Sequence, residues 1–287
     1  MKSILLFLLA AGVNMLSVTA QKTEVFVTAH PDDWQLFMNP SAYYAIQAKN
    51  TKVIFLHMTA GDAGKGTDDG YFSAREEGSL RAVRFLCNLH AEQGAGSDMA
   101  ATSTSLNQHR MFKFSYANTV SYFLRLPDGN FKGPGFPKHD HQSLERLFTG
   151  KVSSLTSIDG GTTYSSVDDL INTISTLLRF ESRGNEITLH IAETDSIANP
   201  EDHSDHRFSS HLLQKVAESL NVRTIKFYQE YATKDKESNL TEEEFLVNVG
   251  TWGATVSGLT DKGNYSTWDD THNQWLSRQY FREEKRK

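Results

Sequence analysis

"VFVTAHPDDWQLF", residues 25–37, joins a strand-like apolar run to a histidine, a proline and two adjacent aspartates. The point where a buried strand hands over to a loop is unfavourable for neighbouring carboxylates. They repel each other, and burying them unpaired costs several kcal/mol. A divalent cation would balance that charge, so the chain should carry further ligands elsewhere. His30, Asp32 and Asp33 thus set two expectations: a sheet whose first strand ends at residue 29, and a metal site at that strand's carboxyl end.

Working outward, strand-like runs alternate with longer helical patterns. Strands are expected at 24–29, 52–59, 120–126, 186–192 and 224–231, and helices at 40–50, 72–90, 167–181 and 206–220. In 72–90 the apolar residues Leu80, Val83, Phe85, Leu86 and Leu89 fall at helical spacing, and in 167–181 Leu170, Ile174, Leu177 and Leu178 do the same. This alternation indicates βαβ units around a largely parallel sheet. The small and polar stretch 91–108 and the Ser/Thr/Gly-rich stretch 150–166 read as surface loops. The tail after Asn248, with Trp252, Trp268 and Trp275, reads as irregular chain packed on the body. No internal repeat is present.

Open α/β sheets place their sites at the carboxyl ends of strands. A second cluster, "NPEDHSDHRF" at 199–208, follows the 186–192 strand and opens a helix. It contributes His203, Asp205 and His206, which can converge with His30, Asp32 and Asp33. Imidazole and carboxylate are zinc ligands, and a catalytic zinc site keeps three protein ligands and an open position. His30, one aspartate of the pair and one of the two histidines make such a set. The spare carboxylate and the spare imidazole then lie beside the metal, available for acid–base work. Alternatively, His203 and Asp205 serve only to cap the helix that begins there.

"AHPDD" after a first strand together with a distal "HSDH" resembles the PIG-L/LmbE-like zinc-dependent N-deacetylases. "TAGDAGKG" (59–66), "AREEGSLRA" (74–82) and "LPDGN" (126–130) extend the resemblance over about residues 24–231. It implies a Rossmann-like three-layer α/β fold with a mostly parallel central sheet. The implied activity is removal of an acetyl group, usually from an N-acetylglucosaminyl compound. Carried over residue by residue, it implies zinc (or another divalent metal such as iron(II)) on His30, Asp33 and His206, with Asp32 as the general base. His203 matches the group that stabilises the oxyanion or protonates the leaving amine, with Asp205 orienting it. Arg75 matches a substrate contact, and Asp62 and Asp128 fall in the supporting motifs expected to bind substrate. Many relatives have glutamate where this chain has Trp34, a residue that either stacks on a sugar or packs in the core.

The 287 residues bound the remaining possibilities. Lys2, the apolar run 4–13 and Val18-Thr19-Ala20 read as a cleavable secretory leader. The expected organisation is therefore a leader over 1–20, a single deacetylase domain over 21–287, and a secreted or periplasmic protein. Removing residues 1–20 takes away Lys2 and leaves 28 basic against 35 acidic residues, a formal charge of −7. That disfavours nucleic acid as a partner. No later apolar stretch is long enough for a membrane span of about 20 residues. The expected partner is a small-molecule or glycan N-acetyl substrate, and the sequence says nothing of oligomeric state.

The lone Cys87 excludes a cysteine-based structural zinc site and reads as a small core residue. "TAGDAGKGT" misses the phosphate-loop pattern, with Thr59 in place of the first glycine and Gly66 after Lys65. His139 and His141 in "KHDHQ" read as loop residues, though on a strand they would share a face. His57, His90, His109, His190, His211 and His272 read as structural. Asn239 and Asn264 fit glycosylation acceptors. Two rival functions are a non-catalytic carbohydrate-binding protein on the same fold and a metal-dependent phosphoesterase. The latter class usually holds two metals and needs more carboxylates.

Overall fold

The structure, a computed structural model, describes residues 22–89 and 99–286. The expected leader and His90 lie outside the described residues. Strand β1 (Lys22–Thr28) is followed by helix α1 (Ser41–Gln47), β2 (Thr51–Thr59) and α2 (Tyr71–Asn88). A hairpin and its neighbour follow as β3 (Ala100–Leu106), β4 (His109–Tyr116) and β5 (Thr119–Leu126). Next come α3 (Leu144–Phe148), the short strands β6 (Leu155–Thr156) and β7 (Thr163–Tyr164), and α4 (Val167–Ser182). The chain closes with β8 (Glu186–Ala192), α5 (Ser204–Ala217), β9 (Val222–Gln229), α6 (Glu242–Thr260), α7 (Asp270–Asn273) and β10 (Tyr280–Lys285).

Eight strands form one sheet in the order β10-β9-β8-β1-β2-β5-β4-β3. The five central strands, β9 to β5, are parallel, and antiparallel strands close both edges. Side chains alternate across the sheet as the strand period requires. Val25, Val27, Ile54 and Leu56 join a core beneath α4 and α5. Phe26, Val53 and Phe55 join a second core with Ala82, Val83 and Leu86 of α2 and Trp252 of α6. The fold is therefore the expected Rossmann-like α/β/α sandwich. Cys87 is fully buried in the second core, and burial pushes its thiol up to about 12.

Three expectations fail. Within 91–108, residues 100–106 form β3, an exposed edge strand paired with β4. Its Ala, Thr and Ser residues carry no apolar alternation, so nothing in their pattern distinguishes them from a loop. Within 150–166, β6 and β7 pair and bury Leu155 and Tyr164. The tail is not irregular, since a 19-residue helix, α6, opens on a capping box of Thr241 and Glu244. Gly250, Gly253 and Gly258 lower its intrinsic helix propensity, and packing compensates. A Cβ on Gly258 would lie 2.3 Å from the backbone nitrogen of Gly78, so α6 and α2 touch backbone to backbone.

Candidate active site

Strand β1 is the switch point of the sheet. The chain leaves it to one side for β2 and returns on the other side as β8, so the loops after β1 and β8 diverge and leave a crevice between them. Ligand sites of open α/β sheets form at such a point. His30 to Asp33 follow β1, and His203 to His206 open α5 beyond β8.

The turn after β1 is closed by its own side chains. The His30 backbone N–H donates to Asp33 Oδ2 at 2.7 Å, which turns Asp33 Oδ1 toward the two imidazoles. His30 Nδ1 lies 3.4 Å from that oxygen, His206 Nε2 lies 3.3 Å from it, and the two nitrogens are 3.2 Å apart. A tetrahedral ion held at zinc–nitrogen distances spaces its donors about 3.3 Å apart. This triangle of buried donors has those dimensions, so the residues present fit a divalent ion.

The surroundings agree. His206 Nδ1 faces Asp202 Oδ1 at 2.8 Å and also contacts Glu230 Oε2, so its proton is held there and Nε2 presents a lone pair. Asn199 binds both supports, donating to Asp202 from its side-chain nitrogen and accepting the Glu230 N–H. Burial pushes the Glu230 carboxyl up to about 8. Burial works against a charged His30, but Asp33, Asp205 and Asp128 outweigh it and raise the imidazole to about 10. Burial alone would raise Asp33, yet His206 and His30 hold it well below the usual carboxylate range. The cluster is thus a buried excess of negative charge that stabilises positive charge placed among it.

Asp32 stands on the cavity side of the same turn. Arg75 Nη2 donates to its Oδ1, and Arg75 Nη1 donates to the Gly61 carbonyl at 2.6 Å. Gly61 must be glycine here: its φ is +55°, and a Cβ would fall 2.5 Å from the Arg75 guanidinium. With Oδ1 taken, Oδ2 is the oxygen left for a proton.

His203 is the N-cap of α5 as well as a site residue. Its Nδ1 accepts the Asp205 N–H at 3.1 Å, so the proton of the neutral ring sits on Nε2. Burial, together with His30 and His206, drives its basicity down to about 3, so the ring is neutral rather than the imidazolium expected of a general acid. The Asp205 carboxylate does not primarily orient His203. Its Oδ2 accepts Gly129 N–H at 2.8 Å and lies 3.5 Å from His30 Nε2, against 3.9 Å from His203 Nδ1. Capping and site roles are thus combined: Asp205 holds His203 through its backbone and His30 through its side chain.

The other predicted contacts divide. Asp128 is buried with Oδ1 3.9 Å from His203 Nε2. Asp62 is fully buried and lies outside the cavity, with its oxygens taken by Gly66 N–H, Asp128 N–H and His139 Nε2. It ties three loops together behind the site and presents nothing to a substrate. Trp34 is also fully buried; its Nε1 donates to Ser79 Oγ at 3.0 Å and its ring packs on Phe55. It belongs to the core, as an apolar neighbour of the second aspartate should. His139 is half-buried against Asp62 while His141 is exposed, because a 3₁₀ turn replaces the strand on which they would have shared a face.

Asp202 and Glu230 were missed by sequence reasoning. Asp202 precedes His206 by four residues, and Glu230 closes β9 as His30 closes β1; both positions were legible signals.

A cavity of about 1020 Å³ opens over this cluster. His30, Asp32, Asp33 and Arg75 line one end, with Tyr71 beside them. Phe131, the loop 197–201, and the segments 229–236 and 267–275 supply the rest. Of the described residues in 99–118 and 130–166, Phe131 lines the cavity, and the β3–β4 hairpin stands at the far edge of the sheet.

Residues 25–217 match the family model described as GlcNAc-PI de-N-acetylase (PIG-L). No curated protein matches the chain. Among solved structures, a similar chain is N,N'-diacetylchitobiose deacetylase from Pyrococcus horikoshii, complexed with its inhibitor MPG. The two are 15% identical, with a TM-score of 0.44 over 83% of this chain and 71% of that one.

Proposed function

The chain belongs to the GlcNAc-PI de-N-acetylase (PIG-L) family, and from that membership we propose a divalent-metal-dependent deacetylase that removes the acetyl group from an N-acetylglucosamine-type substrate. The observation that carries the metal requirement is the donor triangle of His30 Nδ1, Asp33 Oδ1 and His206 Nε2, with edges of 3.2 to 3.4 Å. When bound there, zinc or iron(II) would supply Lewis-acid chemistry, polarising the amide carbonyl and activating water.

The chain's own residues do the rest. Asp32 takes the proton of the attacking water on Oδ2, while Arg75 holds Oδ1 and keeps the carboxylate aimed at the cavity. His203 donates from Nε2–H to the developing oxyanion, a role open to a neutral imidazole whose Nδ1 is already occupied. Protonated Asp32 then returns its proton to the leaving amine, so one carboxyl serves as base and acid in turn. Asp128 Oδ1 lies 3.9 Å from His203 Nε2 and accepts the Asn130 N–H.

We further propose that residues 1–20 are a cleaved leader, that 21–287 form one deacetylase domain, and that the protein is exported. The deciding experiment measures acetate released from N-acetylglucosamine and its β-linked oligomers, with and without added zinc, iron(II) or cobalt. Acetate release that a chelator abolishes and metal restores is expected. No release under any metal would refute the reading and leave a non-catalytic carbohydrate-binding protein.

A further inference from the structure

The sheet ends in two edges of opposite character. At one, β10 carries Arg282, Glu283, Glu284 and Lys285 in succession, the kind of charge that keeps an edge strand from pairing with another chain. At the other, β3 reads Ala-Ala-Thr-Ser-Thr-Ser-Leu over 100–106, with no charge, no proline and an unbroken register against β4. Among the described residues, no strand pairs with its outer side. An edge without these protections is a template for one more strand. We propose that this strand is the β3 of a second copy, and that two chains pair antiparallel about a two-fold axis at Ser103, joining their sheets.

The hairpin supplies the register. Leu106 and His109 flank a two-residue turn at Asn107 and Gln108, whose φ values of +49° and +68° mark the I′ type. The pair flanking such a turn exchanges both of its hydrogen bonds. Alternate residues back along β3, Thr104, Thr102 and Ala100, therefore also direct N–H and C=O at β4. Ser105, Ser103 and Ala101 direct theirs outward. An antiparallel ladder needs outward residues opposite one another. An axis at Ser103 sets Ser103 against its own copy and Ala101 against Ser105. Every outward group is then paired, in about six interchain hydrogen bonds, and the strands overlap along their whole length.

The side chains select a second copy as the occupant. A two-fold axis sets each residue opposite its mirror position, so a charge at Ser103 would meet itself, and β3 has no charge to meet. Around Ser103 the sequence is close to a palindrome, with Thr102 and Thr104 on either side. The cross-strand pairs are Ser–Ser at the axis and Thr–Thr beside it, which share hydroxyl hydrogen bonds. Such a contact uses the same strand on both chains and closes on itself, so no second open edge of this kind remains.

The flank of the edge agrees. Phe180 of α4 is 58% exposed, a large apolar ring left uncovered in the single chain. It stands beside this edge, because the ammonium of Lys113 lies over its ring at 5.9 Å and Lys113 is the β4 neighbour of Thr102. A second copy approaching β3 would cover that ring. Lys113 brings no unpaired charge to the contact, since its Nζ donates to Glu181 Oε1 at 2.7 Å.

Sedimentation equilibrium of the purified protein over a concentration series tests this without reference to activity. The mass should rise with concentration toward twice that of one chain. Two double variants then read the register, since an axis at Ser103 sets position 102 of one copy opposite position 104 of the other. Thr102→Lys with Thr104→Lys places like charges opposite each other twice, and should weaken dimerisation at least about tenfold. Thr102→Lys with Thr104→Glu places each new lysine opposite a new glutamate, and should stay within about threefold of wild type. Both threonines are in an edge strand outside the core, and circular dichroism checks that each variant keeps the fold. A wild type that stays a single chain at every concentration overturns the proposal. So does equal dimerisation of the two double variants, whether both associate or neither does.

Discussion

Asp202→Asn and Glu230→Gln should have unequal effects on metal binding, although both side chains address the same nitrogen of His206. His206 can offer Nε2 to a cation only while its proton stays on Nδ1, and a carboxylate facing Nδ1 enforces that tautomer. Two carboxyls compete for one N–H. Burial pushes Glu230 up to about 8, toward its neutral form. Glutamine therefore resembles the Glu230 that is present, and Glu230→Gln should weaken zinc affinity by less than about threefold. Asp202 faces Nδ1 at 2.8 Å and is anchored on its other oxygen by Asn199. Its replacement should weaken zinc binding about 10–100-fold, the usual cost of losing such a support, or about 1.4–2.7 kcal/mol. Competition of the metal-free protein with a chromophoric chelator measures both. Equal losses in the two variants would show that Glu230 is ionised and shares the orienting role. No loss in either would remove His206 from the ligand set.

His206→Ala should abolish stoichiometric metal, whereas His203→Ala should retain it; elemental analysis showing equal loss would mean the pair is wrongly assigned. Asp32→Asn should keep metal and fold while turnover falls about 10²–10⁴-fold with little change in KM, and full activity would transfer the base to another group. N-terminal sequencing of the native protein should begin at Gln21, and an uncleaved chain recovered from the cytosol would refute export. Burial holds His57 down at about 4, so the unfolded chain takes up that proton first. The stabilisation is then complete above about pH 6.5 and is lost as pH falls from there to 4, by at most about 3 kcal/mol. Denaturation of wild type and His57→Gln across pH 4–7 should show the smaller pH slope in the variant, and parallel slopes would contradict the assignment.

The sequence revealed its parallel sheet because buried central strands are continuous apolar runs, as in "VIFLHMT", and their helices carry period-3.6 stripes. Elements stabilised by something other than their own pattern stayed hidden. β3 is an edge strand held by backbone pairing to β4, with side chains exposed on both faces. α6 is held by the close approach of Gly258 to Gly78, a contact between residues 180 positions apart that no local window contains. At the site, histidines and aspartates in compact motifs were legible. Asp62 and Asp128 stand in motifs just as conspicuous, yet Asp62 proved to be a brace between loops. A motif marks where the chain is constrained, and only the side chain's partners separate a brace from a contact.

The charge inventory favours a cation, rather than a lysine or arginine, at the centre. Six carboxyl groups crowd the crevice: Asp32, Asp33, Asp128, Asp202, Asp205 and Glu230. Arg75 pairs with Asp32, the His206 N–H serves Asp202, and burial pushes Glu230 toward its neutral form. Backbone N–H groups of Ala63, Asn130 and Gly129 accommodate much of Asp128 and Asp205. Asp33 remains, with one oxygen on the His30 N–H and the other aimed between two imidazole nitrogens. An arginine or lysine could satisfy that oxygen but has no lone pair to share with His30 and His206, whose nitrogens would then be donors facing donors. Protonating one imidazole satisfies the triangle only while no cation is there. A divalent ion would satisfy all three atoms at once, because each can offer it a lone pair. A divalent ion held by these three residues would lie beside the cavity end lined by Asp32, the group proposed to take the water's proton.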